Sequence, residues 1–384
     1  MNFGLSEDQQ AIRAAARQFA QAVLRPGYQQ RERAGKLDRA TVLRMGALGL
    51  IAPGLPEAMG GQDLDSVTLG LLHEELARGD FNLAYLPLLA ALNGQILLRC
   101  AREEVARQYL PGLARGEVLS ALALTEPHAG SDAAHIRLQA RRDGARYLLN
   151  GEKASISLAM DADVAITFVR TGSEADGARG ISALLVPLDA PGVRRVPSTD
   201  VGSLIVGRGA LFFDEVSVPS RYLLGEEGRG FTQVMQGFDF SRALIGLQCL
   251  GAAAASLEET WAYASQRSAF GRPVVQFEGV SFPLAEAETL LEAARLLCLK
   301  TLWLKDQGAP HTAEAAMCKW WAPQVAFDVI HRCLLLHGHA GYGQDLPHQQ
   351  RLRDVLGLQI GDGTAEIMKL IIARERAGRA AVPY

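Results

Sequence analysis

The stretch "ARYLLNGEKASIS", residues 145–157, decides how the chain divides. Asn150-Gly151 is a strong hairpin-turn signal. Lys153, Ser155 and Ser157 alternate after it, so the spacing predicts a strand with these three on one face. Two hydroxyls on one face suit a ligand, and a solvated strand face explains them equally well. Around it lie "DVAITFVR" (163–170), "ISALLVPL" (181–188) and "GALFFDEVSVP" (209–219). These are short β-rich runs punctuated by Gly, Asp, Asn and Pro, which predicts a small antiparallel sheet or barrel.

On both sides the period changes to that of helices. Ser6 and Gln9 fit a capping box, and Ile12, Ala16, Phe19 and Val23 follow at helical spacing. "SVTLGLLHEELARGD" and "EEVARQYLPGLARGE" continue the pattern up to about residue 119. After "LLGEEGRGF" (223–231) the helical period returns and holds to the end, in four long apolar-faced segments suited to a bundle. The expectation is a mostly α chain with a β middle domain: N-terminal helical domain 1–119, small sheet or barrel domain 120–228, and C-terminal helical bundle 229–384.

With 384 residues, each domain can bury its own core. A net charge of −3 supplies no basic field, which disfavours nucleic acid as a partner. Five scattered cysteines without a C-x-x-C pair read as reduced core thiols, not as disulfides or a zinc site. The N-terminus has neither a basic, apolar signal pattern nor a transit-peptide composition, and no apolar run is long enough to span a membrane. The expectation is a cytoplasmic protein without a membrane span.

Five further stretches carry chemistry-bearing side chains. "LALTEPHAGSD" (122–132) offers hydroxyls and free amides suited to a flavin edge or pyrophosphate, although a plain turn and helix cap is the simpler account. In "FDFSRALIG", Asp239 and Arg242 stand three apart, which by itself suggests a surface ion pair. Arg267 and Arg272 in "QRSAFGRP" suit a phosphate or a helix dipole. His337 and His339 share no helix face and lack a carboxylate partner, so no metal site is expected. In "LQIGDGTAEIMKLIIARER" (358–376), Asp362 is a lone acid between two glycines ahead of an apolar helix. "GEEGRG" matches neither a dinucleotide nor a P-loop fingerprint.

Singly these motifs are weak; their order is not. "ALTEPHAGSD", "NGEKASIS", "LLGEEGRGF", "SAFGRPVVQFEGVSFPLAE", "GYG" and "GDGTAEIMKLIIARE" together resemble the acyl-CoA dehydrogenase family over essentially the whole chain. The resemblance implies an N-terminal helical domain, a middle β domain, a C-terminal four-helix bundle, FAD, and a homotetramer. The implied reaction removes the α proton of an acyl-CoA thioester with a base while the β hydride goes to flavin N5, electrons then passing to an electron-transfer flavoprotein.

Residue by residue, the resemblance places Thr125 at the isoalloxazine edge, Ser131 near the pyrophosphate and pantetheine, and Ser157 at flavin N5. Arg267 corresponds to an arginine that reaches the FAD pyrophosphate of a neighbouring subunit, and Thr364 and Glu366 correspond to cofactor contacts. Leu124, Ser155, Phe270, Glu278, Leu335 and His339 complete the implied cofactor set. Asp239, Ser241, Arg242, Gly363 and Arg374, with Ser131 again, form the implied substrate set.

Three departures set this chain apart. The family's "YEGT" reads "GDGT", which puts Asp362 at the place of the catalytic glutamate. The alternative base position, on the bundle helix, holds Ser241, which cannot serve. Aspartate is one methylene shorter, about 1.5 Å, and Gly361 replaces the bulky tyrosine before it. Together these suggest room for a branched or ring-bearing acyl group such as a cyclohexanecarboxyl thioester. Ser155 stands where the family carries a flavin-flanking tryptophan, and Gly338-His339 replaces a glycine pair on the adenine side. A CoA-independent flavin oxidase similar to nitroalkane oxidase, which carries aspartate at this position, and an inactive acyl-CoA-binding paralogue are the alternative readings.

Overall fold

The computed structural model describes residues 4–381. The capping box is present: the Ser6 hydroxyl accepts from the Gln9 amide at 3.1 Å, and the Gln9 side chain accepts from the Ser6 amide at 3.2 Å. It opens α1 (Glu7–Phe19), whose buried Ala16 and Phe19 continue through one π-helical turn, Ala20–Leu24, into α2 (Arg25–Ala34). Then come α3 (Arg39–Ala47), α4 (Ser66–Gly79), α5 (Tyr85–Cys100) and α6 (Glu103–Ala114). Buried leucines on α4 and α5 form the centre of this helical domain.

The middle domain holds β1 (Ser120–Ala123), β2 (Gln139–Asp143), β3 (Arg146–Ile156), β4 (Val164–Arg170), β5 (Ile181–Pro187), β6 (Val193–Pro197), β7 (Gly209–Pro219) and β8 (Leu223–Leu224). They form one sheet in the order β6-β7-β3-β2-β4-β5-β8, with β1 beside β4. The sheet is mixed rather than antiparallel, because β1 and β2 run parallel to β4. The crossover length that parallel pairing needs comes from loop 124–138 and strands β2 and β3 between β1 and β4, and from β3 with its flanking turns between β2 and β4.

Asn150-Gly151 is not the hairpin turn. The β2–β3 turn falls at Gly144 (φ 61°), and β3 runs straight through Asn150-Gly151. There the register against β7 shifts, so the glycine's freedom (φ 137°) serves a bulge. A second shift lies between Lys153 and Ile156, with Ser155 at φ 58°. The regular alternation therefore breaks: Lys153 points into the core, whereas Ser155 is exposed and Ser157 half-buried.

The bundle contains α7 (Gly230–Gln266), α8 (Glu278–Asp306), α9 (Thr312–Leu336), the single turn α10 (His339–Tyr342), α11 (His348–Ile360) and α12 (Ala365–Ala377). Helix α11 adds a fifth long member to the four expected, and α9 packs on α7, α8, α11 and α12. Helix α7 is long and apolar enough to cross a membrane, but its apolar window is 94% buried inside the protein. It is the core helix of the bundle.

Candidate functional site

Between α11 and α12 the chain makes the tight turn Gly361-Asp362-Gly363. Thr364 closes it as N-cap of α12, accepting from the Ile367 amide at 3.4 Å. Asp362 sits at φ 57°, a left-handed conformation that aspartate tolerates better than most side chains. From α9, Lys319 reaches this turn: its ammonium donates to the carbonyl of Leu358 at 2.7 Å and of Gly363 at 3.0 Å. Lys319 is 1% exposed.

Helix α7 contributes Arg242, also buried, whose Nη1 donates to Asp239 Oδ1 at 3.1 Å. The Thr312 hydroxyl donates to the other Asp239 oxygen at 2.6 Å. The Asp239–Arg242 ion pair thus exists, but it belongs to the interior rather than the surface, and Arg242 Nε is left buried without a partner. The segment ahead of β7 adds Arg208, held by Asp200 at 2.7 Å.

Asp362 therefore lies in a cationic niche. Burial raises its acidity constant above the usual carboxylate value, and the opposing charges of Lys319, Arg242 and Arg208 offset only part of that rise. Although the residue as a whole is only half-buried, its carboxyl faces this covered niche. Burial lowers Lys319 to about 8, against the raising effect of Asp362. Burial also lowers Arg242, on which nearby Arg374 acts in the same sense.

Of the predicted substrate residues, the fold brings Asp239, Arg242 and Gly363 to the surroundings of Asp362, with exposed Arg374 within electrostatic reach of Arg242. Ser241 is turned away: it is fully buried, and its hydroxyl bonds back to the Phe238 carbonyl at 3.5 Å. Lys319 and Arg208 were missed by sequence reasoning. The one signal for Lys319 is a cation inside the apolar period "AAMCKWWAPQVAF".

A second surface is organised by a buried ion pair. Lys153 Nζ donates to Glu126 Oε1 at 2.7 Å and to the Leu124 carbonyl at 2.8 Å. The same Glu126 carboxylate accepts from the amides of Arg137 and Leu138, at 2.6 and 2.9 Å. Both ends of the loop 124–138 are thereby tied to β3. Its tip is open: Gly130 and Ser131 are exposed, Thr125 is half-buried, and a Cβ built on Gly130 would meet nothing within 4 Å.

The remaining predicted cofactor residues lie elsewhere. Leu124 is buried with its carbonyl held by Lys153. Arg267, Phe270, Glu278, Leu335 and His339 are exposed around the ends of α7, α8 and α9, and Phe270 is 95% exposed at φ 52°. Glu366 is exposed on the first turn of α12. His337 and His339 part company. His337 is buried, donates from Nδ1 to the Cys333 carbonyl and stacks on Tyr263, while His339 faces solvent.

This three-part arrangement recurs in known proteins. Family models match the acyl-CoA dehydrogenase N-terminal domain at residues 6–117, the middle domain at 121–216 and the C-terminal domain at 228–376. A probable acyl-CoA dehydrogenase, YngJ of Bacillus subtilis, is 35% identical over 378 residues, 98% of this chain and 99% of its own. The chain belongs to the acyl-CoA dehydrogenase family.

The short-chain specific acyl-CoA dehydrogenase of Bos taurus mitochondria is 34% identical over 96% of this chain and 90% of its own. The solved butyryl-CoA dehydrogenase of Megasphaera elsdenii superposes with a TM-score of 0.94 at 31% identity, covering 98% of this chain and 100% of its own. Acyl-CoA dehydrogenases are FAD-dependent oxidoreductases, and one neighbour, a glutaryl-CoA dehydrogenase of Mycobacterium smegmatis, was solved in complex with FADH2 (TM-score 0.92, 27% identity, covering 98% of this chain and 96% of its own). The open loop tip fits FAD: space around Gly130 admits a close approach, and among the described residues the Gly130 and Ser131 amides have no backbone partner, which leaves them to an anion.

Proposed function

We propose that this acyl-CoA dehydrogenase carries out α,β-dehydrogenation of an acyl-CoA thioester with Asp362 as the base, and that its acyl group is branched or cyclic. The observation that carries this reading is the placement of Asp362 in a niche ringed by Lys319, Arg242 and Arg208. A base must give up its own proton near the working pH: burial raises Asp362 above the ordinary carboxylate range, and the three cations limit that rise. Bound FAD would supply the hydride acceptor, held by Thr125, Ser131 and Ser157 with Thr364 and Glu366. Arg242 has one unpartnered buried donor, Nε, to offer a polar group of the substrate, and Asp239 and Thr312 fix its guanidinium. Arg374 and Ser131 would meet the CoA portion.

The short acid and Gly361 support a bulky α carbon, because a substrate must come closer to a carboxylate that is about 1.5 Å shorter. We take an electron-transfer flavoprotein as electron acceptor and the cytoplasm as the location. The exposed apolar residues Phe270 and Leu335, with Phe282 and Trp303 on α8, support a homotetramer in which Arg267 and Glu278 reach a neighbouring cofactor. The three domains would meet near residues 119 and 228.

The test is anaerobic flavin bleaching across straight, branched, cyclic and aromatic acyl-CoAs. Preferential bleaching by cyclic or branched thioesters is expected; preference for butyryl- or octanoyl-CoA removes the substrate assignment. Protein that takes up no FAD removes the flavoenzyme reading. Rapid oxygen reactivity without reduction by any acyl-CoA selects a CoA-independent oxidase. Asp362→Asn is isosteric and equally suited to the left-handed turn, so wild-type flavin reduction in that variant would exclude Asp362 as base.

A further inference from the structure

The geometry points to Lys319 as the positioning residue of the base: one buried ammonium clamps the two ends of the turn that carries Asp362 and supplies the charge that keeps its carboxylate ready. This inference rests on the assignment of Asp362 as base.

The clamp is geometric first. Lys319 Nζ lies 2.7 Å from the Leu358 carbonyl oxygen, in the last turn of α11, and 3.0 Å from that of Gly363, just before α12. Both acceptors flank Asp362, so a single cation on α9 closes the loop between two helices. The turn needs such a closure. Asp362 is in the left-handed region, and its neighbours are glycines that do not restrict the backbone. Without the two bonds, the buried Leu358 carbonyl loses its Lys319 bond and the turn is free to rotate its carboxylate by distances that matter to a proton transfer.

The charge is unusual as well. Lys319 is 1% exposed, yet no ion pair within 4.0 Å involves it among the described residues. Its counter-charge is Asp362, at longer range. A lysine serving only as a structural hydrogen-bond donor would leave its charge uncompensated at the cost that burial imposes on ions. The groups facing Asp362 are Lys319 from α9, Arg242 from α7 and Arg208 ahead of β7. Two of these are committed: Arg242 binds Asp239, and Arg208 binds Asp200. Those facing Lys319 are Asp362, Cys249 and Arg242. Lys319 is thus the one cation of the three whose charge no other carboxylate shares at close range.

Two substitutions separate geometry from charge. Lys319→Gln keeps a donor of shorter reach and removes the charge; Lys319→Met removes both. On FAD-loaded protein with a turned-over acyl-CoA, the Lys319→Met variant is expected to lose on the order of 10²-fold in the rate of flavin reduction, the scale of a displacement near 1 Å. The acidic limb of its pH profile moves to higher pH, because Asp362 loses its unshared cation. Lys319→Gln recovers part of the rate while keeping the shifted limb. Infrared carboxyl bands of cofactor-free protein, assigned by their loss in Asp362→Asn, report the same upward shift without any turnover. A shift in the infrared titration with no acyl-CoA turnover in wild type would support the Lys319–Asp362 coupling while removing the base assignment. An unmoved Asp362 band and pH limb in both variants, with only thermal stability lowered, would overturn the inference.

Discussion

Tyr28 and Asp354, 326 positions apart, share a buried hydrogen bond of 2.5 Å, and through it three domains meet. The Tyr28 hydroxyl on α2 and Asn82 Nδ2, at 2.9 Å, both donate to Asp354 Oδ2; the Ser203 amide of the middle domain donates to Oδ1 at 2.5 Å. Asp354 itself belongs to α11, seven residues before the turn that holds Asp362, so that turn is referenced to all three domains.

Asp354→Ala would leave three buried donors without an acceptor. Each costs about 1–3 kcal/mol when stranded, and partial solvent entry reduces the sum to about 3–5 kcal/mol. Differential scanning calorimetry should show a lower Tm, with Asp354→Asn less damaging because it keeps one acceptor oxygen. A Tm for Asp354→Ala equal to wild type would show that the three-domain contact contributes nothing.

Lys153→Met strands the Glu126 carboxylate among the amides of Arg137 and Leu138. Removing one partner of a buried pair typically costs about 3–5 kcal/mol. Because the pair ties down the loop that presents Thr125 and Ser131, FAD affinity should fall along with Tm. Titration of cofactor-free protein with FAD measures the first effect; unchanged affinity would detach the loop from the cofactor.

Much of this was legible in the sequence, and the failures have causes. The capping box at Ser6 and the helical stripe through Phe19 came from local patterns that tertiary structure did not disturb. The Asn150-Gly151 reading failed because the same conformational freedom that makes a hairpin also makes a bulge, and pairing with β7 decides between them. Helix α11 was hidden by its buried polar residues Gln350, Arg351 and Asp354, which break the apolar period because Gln350 and Asp354 bond to other domains and Arg351 bonds to Ser256 and Glu259 on α7. Lys319 was hidden for a similar reason: its partners are backbone carbonyls, which no side-chain motif records. Ser155 and Lys153 were placed on one face by alternation, and a bulge separated them.

His73 offers a pH test. It is buried against Gln248 at 3.2 Å, and burial lowers its acidity constant from 6.5 to about 4. Between those values the unfolded chain binds a proton that the folded protein refuses, so stability falls as pH falls from 6.5 to about 4. The full effect of this group is about 3 kcal/mol. Asp354, raised by burial to about 7, acts in the opposite sense, its contribution being greatest at low pH and declining toward pH 7. Comparison with His73→Gln isolates the histidine: the Tm gap between the variant and wild type should move in the variant's favour as pH drops from 6.5 to 4. A constant gap would mean that His73 stays neutral in both states or protonates in place.

Asp362→Glu sets reach against backbone preference. The added methylene extends the carboxylate by about 1.5 Å, restoring the length usual in the family. The left-handed φ of 57° suits aspartate better than glutamate, so the variant pays with a modestly lower Tm. If the short acid selects for bulk at the α carbon, the longer one should narrow the site. Flavin reduction by straight-chain acyl-CoA should then rise relative to branched and cyclic thioesters, by about tenfold or more in the ratio of kcat/KM, equivalent to about 1.4 kcal/mol. Stopped-flow reduction with one substrate of each class reads that ratio directly. An unchanged ratio would place the acyl selectivity in the walls of the site rather than in the length of the acid.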